Sequence, residues 1–160
     1  MKTIQFIDPA YPQVWHAPAE GAAPQGYQLL TLAQWLAARD TWPRGLPLGV
    51  QLANDEDVEL LAPDLERIAL VALAFPKWTD GRAYSQARLL RSRYGFEGEL
   101  RATGEVLVDM LPLLERNGFS SVTLRADQDR LAAERALRYF PGHYQGDAKG
   151  RAPAHWRAAA

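Results

Sequence analysis

The stretch IALVALAF, residues 68–75, decides the fold of this 160-residue chain. An unbroken apolar run of this length is typical of a strand that is buried on both faces of a parallel sheet. Parallel strands need crossover connections, which are usually helices. The run therefore predicts an α/β protein, and the segments on either side of it should alternate between helix and strand.

Alternating patterns follow the run toward the C terminus. Apolar residues at helical spacing, from Ala83 to Tyr94, predict a helix over about 80–94, with Gly95 as its left-handed cap. Beyond it we expect a strand over 99–102, a helix around residues 107–114 that Pro112 should kink, a strand over 121–125, and a last helix that is capped by Asp127 and ends before residue 141.

The N-terminal side of the run contains further elements, separated by segments rich in proline. Proline breaks regular structure, so these elements should be short. They are a strand over 4–7, a helix over 31–39 that begins with a capping box of Thr31 and Gln34, a strand over 48–52, and a short helix capped by Asn54.

An internal repeat supports this division. The sequence RYGF at 93–96 precedes LRA at 100–102, and RNGF at 116–119 precedes LRA about 23 residues later, a spacing that fits one βα unit. We predict four consecutive βα units that form a parallel sheet, either open or curled like half of a (β/α)8 barrel, with an N-terminal strand and helix as a cap. Residues 1–145 should form one domain and residues 146–160 a flexible tail.

The composition excludes several classes of function. The formal net charge is −1, which leaves no surplus of Lys and Arg for general binding of nucleic acid or of an acidic membrane. The chain has no cysteine, so it can form neither a disulfide nor a cysteine-ligated iron–sulfur cluster. His16, His143 and His155 are not spaced as zinc ligands, and no nucleotide-binding glycine motif or export signal is apparent. We expect a cytoplasmic protein without a metal or cofactor.

The loop after the apolar run carries the strongest candidates for a site. Ligands of parallel α/β proteins bind beyond the carboxyl ends of the strands, and here the strand is followed by PKWTDGR, residues 76–82. Lys77 and Arg82 could bind an anion there, with Ser85 one helical turn further along. Asp80 could orient Arg82 or act as a base. The simpler alternative is that Asp80 caps the following helix and Arg82 forms a surface ion pair.

Four further arginines need an interpretation. Arg101 and Arg125 occupy equivalent places in the repeat, near the ends of neighbouring strands. If their side chains point toward the strand ends, they join the same anion site; if they point outward, they pair with carboxylates such as Glu105. For Arg91 and Arg93 we favour a solvated helix face.

The N-terminal segment is rich in aromatic residues. Phe6, Trp15, Trp35 and Trp42 offer more aromatic surface than a small cap needs. We expect part of this segment to pack over the strand layer, with the remaining apolar surface forming a homodimer or binding a partner. The alternative is that all four side chains are buried in the core of a monomer.

The sequence FPKWTDGRAYSQARLLR, residues 75–91, resembles a bacterial family catalogued as domain of unknown function 934. Residues 98–109, GELRATGEVLVD, and the RNGF segment resemble the same family, and the resemblance extends over nearly the whole chain. A cysteine of the family is replaced here, which argues against a thiol role. This chain departs from the usual residues of the family at four positions: it has Trp78 in place of Phe, Glu105 in place of Asp, Met110 in place of Gln, and Asn117 in place of Cys.

The resemblance implies a setting rather than a reaction. Family members typically lie beside a sulfite or nitrite reductase among sulfate-assimilation genes, and they carry labels such as "probable oxidoreductase". Sulfite reduction needs sirohaem and an iron–sulfur cluster, and this chain has no cysteine to ligate one. We therefore expect an accessory protein of assimilatory sulfite or nitrite reduction, with the reductase as partner. The alternative is a small α/β enzyme that binds an anionic metabolite such as sulfite, sulfate or phosphate.

Overall fold

A single sheet of parallel strands organises this computed structural model, which describes residues 4–10, 13–139, 146–148 and 150. The sheet order is β1-β6-β5-β4-β3-β2, and every neighbouring pair is parallel. The predicted α/β class is thus confirmed. The strands are β1 (Gln5–Phe6), β2 (Gln28–Thr31), β3 (Leu48–Leu52), β4 (Ile68–Phe75), β5 (Glu99–Gly104) and β6 (Ser121–Val122).

Short helices connect the strands. The first begins with the predicted capping box, because the Thr31 hydroxyl accepts from the Gln34 N–H and the Gln34 side chain accepts from the Thr31 N–H. The α-helices are α1 (Leu32–Ala38), α2 (Arg82–Arg88), α3 (Leu111–Arg116) and α4 (Arg130–Tyr139), with 3-10 helices at Val58–Asp64 and Val108–Met110 and a π-helical turn at Leu89–Arg93.

The strand order places the connecting helices on one face of the sheet. From β2 to β6 each strand lies beside its predecessor, and every step runs in the same direction. Right-handed crossovers then bring the helices to the same face, as in a half-barrel-like layer. The step from β1 to β2 runs in the opposite direction, so the described residues between these strands, 7–10 and 13–27, should lie on the other face.

Trp15 packs on this helix-free face. Leu48 and Val50 of β3 point into the main core, so Gly49 between them faces the other way. A Cβ atom on Gly49 would lie 3.2 Å from Cε3 of Trp15, and the Trp15 ring packs edge to face against Tyr27. Part of the N-terminal segment therefore packs over the strand layer, as expected.

The four N-terminal aromatic residues divide between core and surface. Trp35 and Trp42 are buried and contact each other edge to face, and Nε1 of Trp35 donates to the buried Asp64 carboxylate at 3.1 Å. Phe6 and Trp15 are only partly buried. Two of the side chains thus belong to the core, and the other two leave aromatic surface accessible.

Two predicted helix caps are wrong by two or three residues. Asn54 is buried, and the 3-10 helix after β3 is capped instead by Asp57, whose carboxylate accepts a backbone N–H two residues on. Asp127 does not cap α4; Asp129 does, since its Oδ1 accepts the Leu131 N–H at 2.9 Å. In both places several acidic or amide residues are adjacent, and each could serve as a cap.

Two further expectations need correction. The strand β2 was not expected, and β1 lies in the sheet beside β6, whereas the N-terminal strand was predicted as part of a cap. The sheet therefore contains six strands among the described residues rather than the four of the predicted βα units. Pro112 does not kink a long helix. It lies in the first turn of α3, after a separate 3-10 turn, where proline is tolerated because its missing N–H would have no helical partner. The expected end of the last helix near residue 141 and most of the predicted tail lie outside the described residues.

Candidate functional site

The carboxyl ends of β4 and β5 are held together at a glycine. Gly104 has a φ of +91°, and a Cβ atom there would lie 2.4 Å from the carbonyl oxygen of Phe75. The next residue, Glu105, donates its backbone N–H to that same oxygen at 2.8 Å. A side chain at position 104 would push the two strand ends apart, so glycine keeps the loops that follow them in fixed positions.

The loop after β4 is a tight turn held by Asp80. The Asp80 N–H donates to the carbonyl of Lys77 at 3.0 Å, which closes a four-residue turn. The Asp80 carboxylate accepts from the Arg82 backbone N–H and, at 3.0 and 2.7 Å, from Nε and Nη2 of its guanidinium. Hydrogen bonds from Arg82 hold the pKa of Asp80 well below its usual range, and Asp80 raises the pKa of Arg82.

The predicted anion-binding residues of this loop are therefore only partly available. Arg82 already pairs with Asp80, which is the simpler arrangement considered from the sequence. Lys77 and Ser85 are exposed, and Lys77 has no carboxylate partner among the described residues. A role for Lys77, Arg82 and Ser85 in anion binding, or for Asp80 in catalysis, remains a prediction.

Trp78 occupies a central position of the turn and is 56% exposed. The base of the loop is firmly packed, because the buried Phe75 ring contacts the Tyr84 ring edge to face at 5.1 Å. Burial of Tyr84 raises the pKa of its hydroxyl to about 12, so this residue stays neutral at working pH. A large aromatic side chain is thus presented to solvent by a turn that is fixed at both ends.

Gln86 fixes the loop after β3 against α2, a role that the sequence reasoning missed. Its Nε2 donates to the carbonyl oxygens of Ala53 and Glu56, both at 2.8 Å. Asn54 in the same loop is buried, and its amide lies near enough to Asp80 to help lower the pKa of that carboxyl. The available signal was that Gln86 lies on the apolar face of a helix, between Ala83 and Leu90.

Arg101 does not reach the carboxyl edge of the sheet. It pairs in register with Ser121 at the start of β6, and it is 8% exposed. Its Nε and Nη2 donate to Oε1 of Glu99 at 2.9 and 2.7 Å, and the Ser121 hydroxyl donates to the same oxygen. The repeat alignment of Arg101 with Arg125 is wrong by four residues, so these two arginines lie at different levels of the sheet.

Arg125 lies beyond the end of β6 and is held by two carboxylates. Its Nε and Nη2 donate to Asp127 at 2.6 and 2.7 Å, and its Nη1 donates to Glu105 at 2.8 Å. The Glu105 pair matches the outward-pointing alternative from the sequence. The hydrogen bonds with Arg125 lower the pKa of Asp127 to about 2, while those with Asp127 and Glu105 raise the pKa of Arg125. Arg125 also lines a cavity of about 320 Å³ between the ends of β1 and β6.

The part of the chain that the structure describes contains neither a metal-binding cluster of side chains nor a membrane-spanning helix. No group of three or more His, Asp or Glu side chains is placed to hold a metal ion among those residues. In the same residues, no helix has the length and apolar character to cross a membrane. His143 and His155 lie outside the described residues.

Comparisons with known proteins place the chain in a family. A search of curated proteins finds no match. The model of a family described as bacterial protein of unknown function, DUF934, matches residues 49–155, which is more than half of the 160-residue chain. This range begins in β3 and includes the Asp80 turn and Gln86. The chain therefore belongs to the DUF934 family of bacterial proteins of unknown function.

Proposed function

We propose that the protein is an accessory protein of assimilatory sulfite or nitrite reduction in the cytoplasm, and that it binds the reductase rather than carrying a redox centre. The sequence resemblance supplies the setting, since relatives typically neighbour such a reductase. The absence of cysteine supports a role outside electron transfer through iron–sulfur clusters. With a net charge of −1, neither nucleic acid nor a membrane is among the proposed partners.

Trp78 is the observation that carries this proposal. Tryptophan is enriched among the few residues that supply most of the binding energy at protein interfaces. The turn at residues 77–80 is already ordered by Asp80, so little conformational entropy is lost when the loop docks. An exposed tryptophan on an ordered loop is well suited to fill a pocket of a protein partner.

The competing function is an enzyme that binds an anionic metabolite at the strand ends. It has less support, because Arg82, Arg101 and Arg125 are each paired with a carboxylate. A thermal-shift assay with sulfite, sulfate or phosphate separates the two functions. We expect no stabilisation, whereas a rise in Tm that is lost in Arg82→Gln would favour the enzyme.

Self-association is a second kind of partnership that we propose. Phe6 and Trp15 remain partly exposed, and they could contribute to a homodimer. Light scattering across micromolar concentrations tests this, and a clean monomer throughout that range would exclude the homodimer. That result would leave the proposed binding of the reductase unaffected.

The direct test of the accessory role uses the purified protein and the purified reductase. We expect a colourless protein that does not reduce sulfite alone but elutes with the reductase in size-exclusion chromatography. A stoichiometric visible chromophore in this chain, or sulfite reduction by the chain alone, would contradict the proposal. Pull-down from cells grown on sulfate provides an independent check on the identity of the partner.

A further inference from the structure

The cavity beside Arg125 has the position and lining of a small-molecule site. It lies at the carboxyl ends of β1 and β6, where parallel α/β folds bind ligands. Phe6, Ile7 and Leu124 supply apolar walls, and charged side chains reach its rim. Its volume, about 320 Å³, lies at the lower end of the range of small-molecule pockets.

Both terminal nitrogens of Arg130, at the rim, are unused donors within the described residues. Arg125 is occupied by Asp127 and Glu105, so it provides a fixed wall rather than a free charge. Arg130 donates through Nε to Glu134 at 3.2 Å, and its guanidinium lies 5.5 Å from the centre of the Phe6 ring. Its two terminal nitrogens have no partner among the described residues, so they are available to an anionic group.

One anion at the rim has an unused acceptor. Asp8 lines the cavity, and its Oδ1 accepts the Ala10 N–H at 2.9 Å in a local turn. Its Oδ2 has no partner in the described part of the chain, and the residue is exposed. The cavity therefore combines apolar walls with a free acceptor on Asp8 and free donors on Arg130, which together suit a ligand that carries both a positive and a negative group.

We propose that this cavity binds a free α-amino acid with an apolar side chain. The ammonium group bonds to Asp8, the carboxylate bonds to Arg130, and the side chain packs against the apolar wall. A ligand that carries only one of the two charges engages either Oδ2 of Asp8 or the terminal nitrogens of Arg130, but not both. This site is distinct from the Trp78 turn and does not depend on the proposed function.

Titrations followed by backbone amide NMR test the proposal with three matched probes. L-Phenylalanine carries both charges, 3-phenylpropionate lacks the ammonium, and 2-phenylethylamine lacks the carboxylate. We expect L-phenylalanine to shift the resonances of residues 6–8 and 124–130. Each of the other two probes should bind about tenfold more weakly, which corresponds to the loss of one charged hydrogen bond.

Two variants test separately which residue binds the carboxylate of the ligand and which binds its ammonium group. In Arg130→Gln, L-phenylalanine and 2-phenylethylamine should bind equally, whereas in Asp8→Asn, L-phenylalanine and 3-phenylpropionate should bind equally. The amide spectra of the free variants report whether each one is folded. The proposal is overturned if L-phenylalanine causes no shifts up to about 10 mM, if the shifts lie elsewhere, or if all three probes bind the wild type equally.

Discussion

Replacing Arg91 with methionine should destabilise the protein strongly, although the residue lies in an arginine-rich stretch. Its Nε donates to the carbonyl of Gly118 at 2.9 Å, and its Nη1 donates to the carbonyls of Phe96 and of Gly98, the latter at 2.9 Å. The guanidinium also lies over the Phe96 ring. Arg91 thus joins the loop before β5 to the loop before β6. Burial lowers its pKa, but the group remains protonated at any working pH.

The size of the effect follows from these contacts. A hydrogen bond to a charged group contributes about 1.5–3 kcal/mol, and Arg91→Met removes three of them while keeping the apolar stem. The side chain is only partly buried, so water replaces some of the lost bonds. We therefore expect a loss of about 3 kcal/mol in the free energy of unfolding, and a fall in Tm of about 6–12 °C for a chain of this size. Arg91→Lys should recover part of this loss, because it keeps the charge but not the fork of donors.

Urea unfolding followed by tryptophan fluorescence measures the change. Arg93→Met is the matched control, since Arg93 is exposed and, among the described residues, has no hydrogen bond or ion pair and only a cation–π contact with the Tyr94 ring. We expect the control to change the free energy of unfolding by less than about 0.5 kcal/mol. A loss below about 1 kcal/mol for Arg91→Met, or equal losses for the two variants, would refute the assigned role of Arg91.

Three further predictions concern other residues. Gly104→Ala should lower the free energy of unfolding by more than about 2 kcal/mol, because it adds a backbone clash to a left-handed conformation. Gly45→Ala should lower it by only about 1 kcal/mol, since Gly45 has a φ of +89° but open space around it. Chemical unfolding of both variants measures the difference. Hydrogen bonds from Arg125 lower the pKa of Asp127 from 3.8 to about 2. The wild type should therefore have a higher Tm than Asp127→Asn above about pH 4, and this advantage should decline below pH 4 and vanish as the pH falls through about 2. Trp35→Glu should not fold, as judged by circular dichroism, because Trp35 is 0% exposed; a folded variant would argue against its place in the core.

The strands β3 and β4 could be predicted to the residue because β4 is an unbroken apolar run that ends before Pro76 and β3 is a mainly apolar segment between Pro47 and Asn54. The strand β2 could not, since only Leu29 and Leu30 separate the polar Gln28 and Thr31, and four residues show no usable periodicity. Pairing with β3 and burial of Leu30 form this strand, and both are tertiary effects. Local sequence cannot report them.

Local sequence likewise predicts some features of the candidate site and not others. The turn at residues 77–80 and the Asp80–Arg82 pair follow from local sequence, because the residues are two positions apart. A solvated helix face was expected for both Arg91 and Arg93, which is correct for the exposed Arg93 but wrong for Arg91. Arg91 binds carbonyls of the adjacent loop at Phe96 and Gly98 and the carbonyl of Gly118, 27 residues away. The register of Arg101 was misjudged because the repeated LRA triplet suggested an alignment that the pairing of β5 with β6 does not follow.

The affinity of the protein for purified sulfite reductase, measured by biolayer interferometry for the wild type and two variants, tests the proposed function most directly. Trp78→Ala should bind at least about thirtyfold more weakly, since interface tryptophans contribute about 2 kcal/mol or more. Leu131→Ala removes an apolar side chain that is 67% exposed on α4, and it should bind as the wild type does. Both variants should keep the wild-type Tm, because neither side chain is buried. A wild-type protein that does not bind the reductase, or a Trp78→Ala variant that binds as tightly as the wild type, would contradict the proposed function.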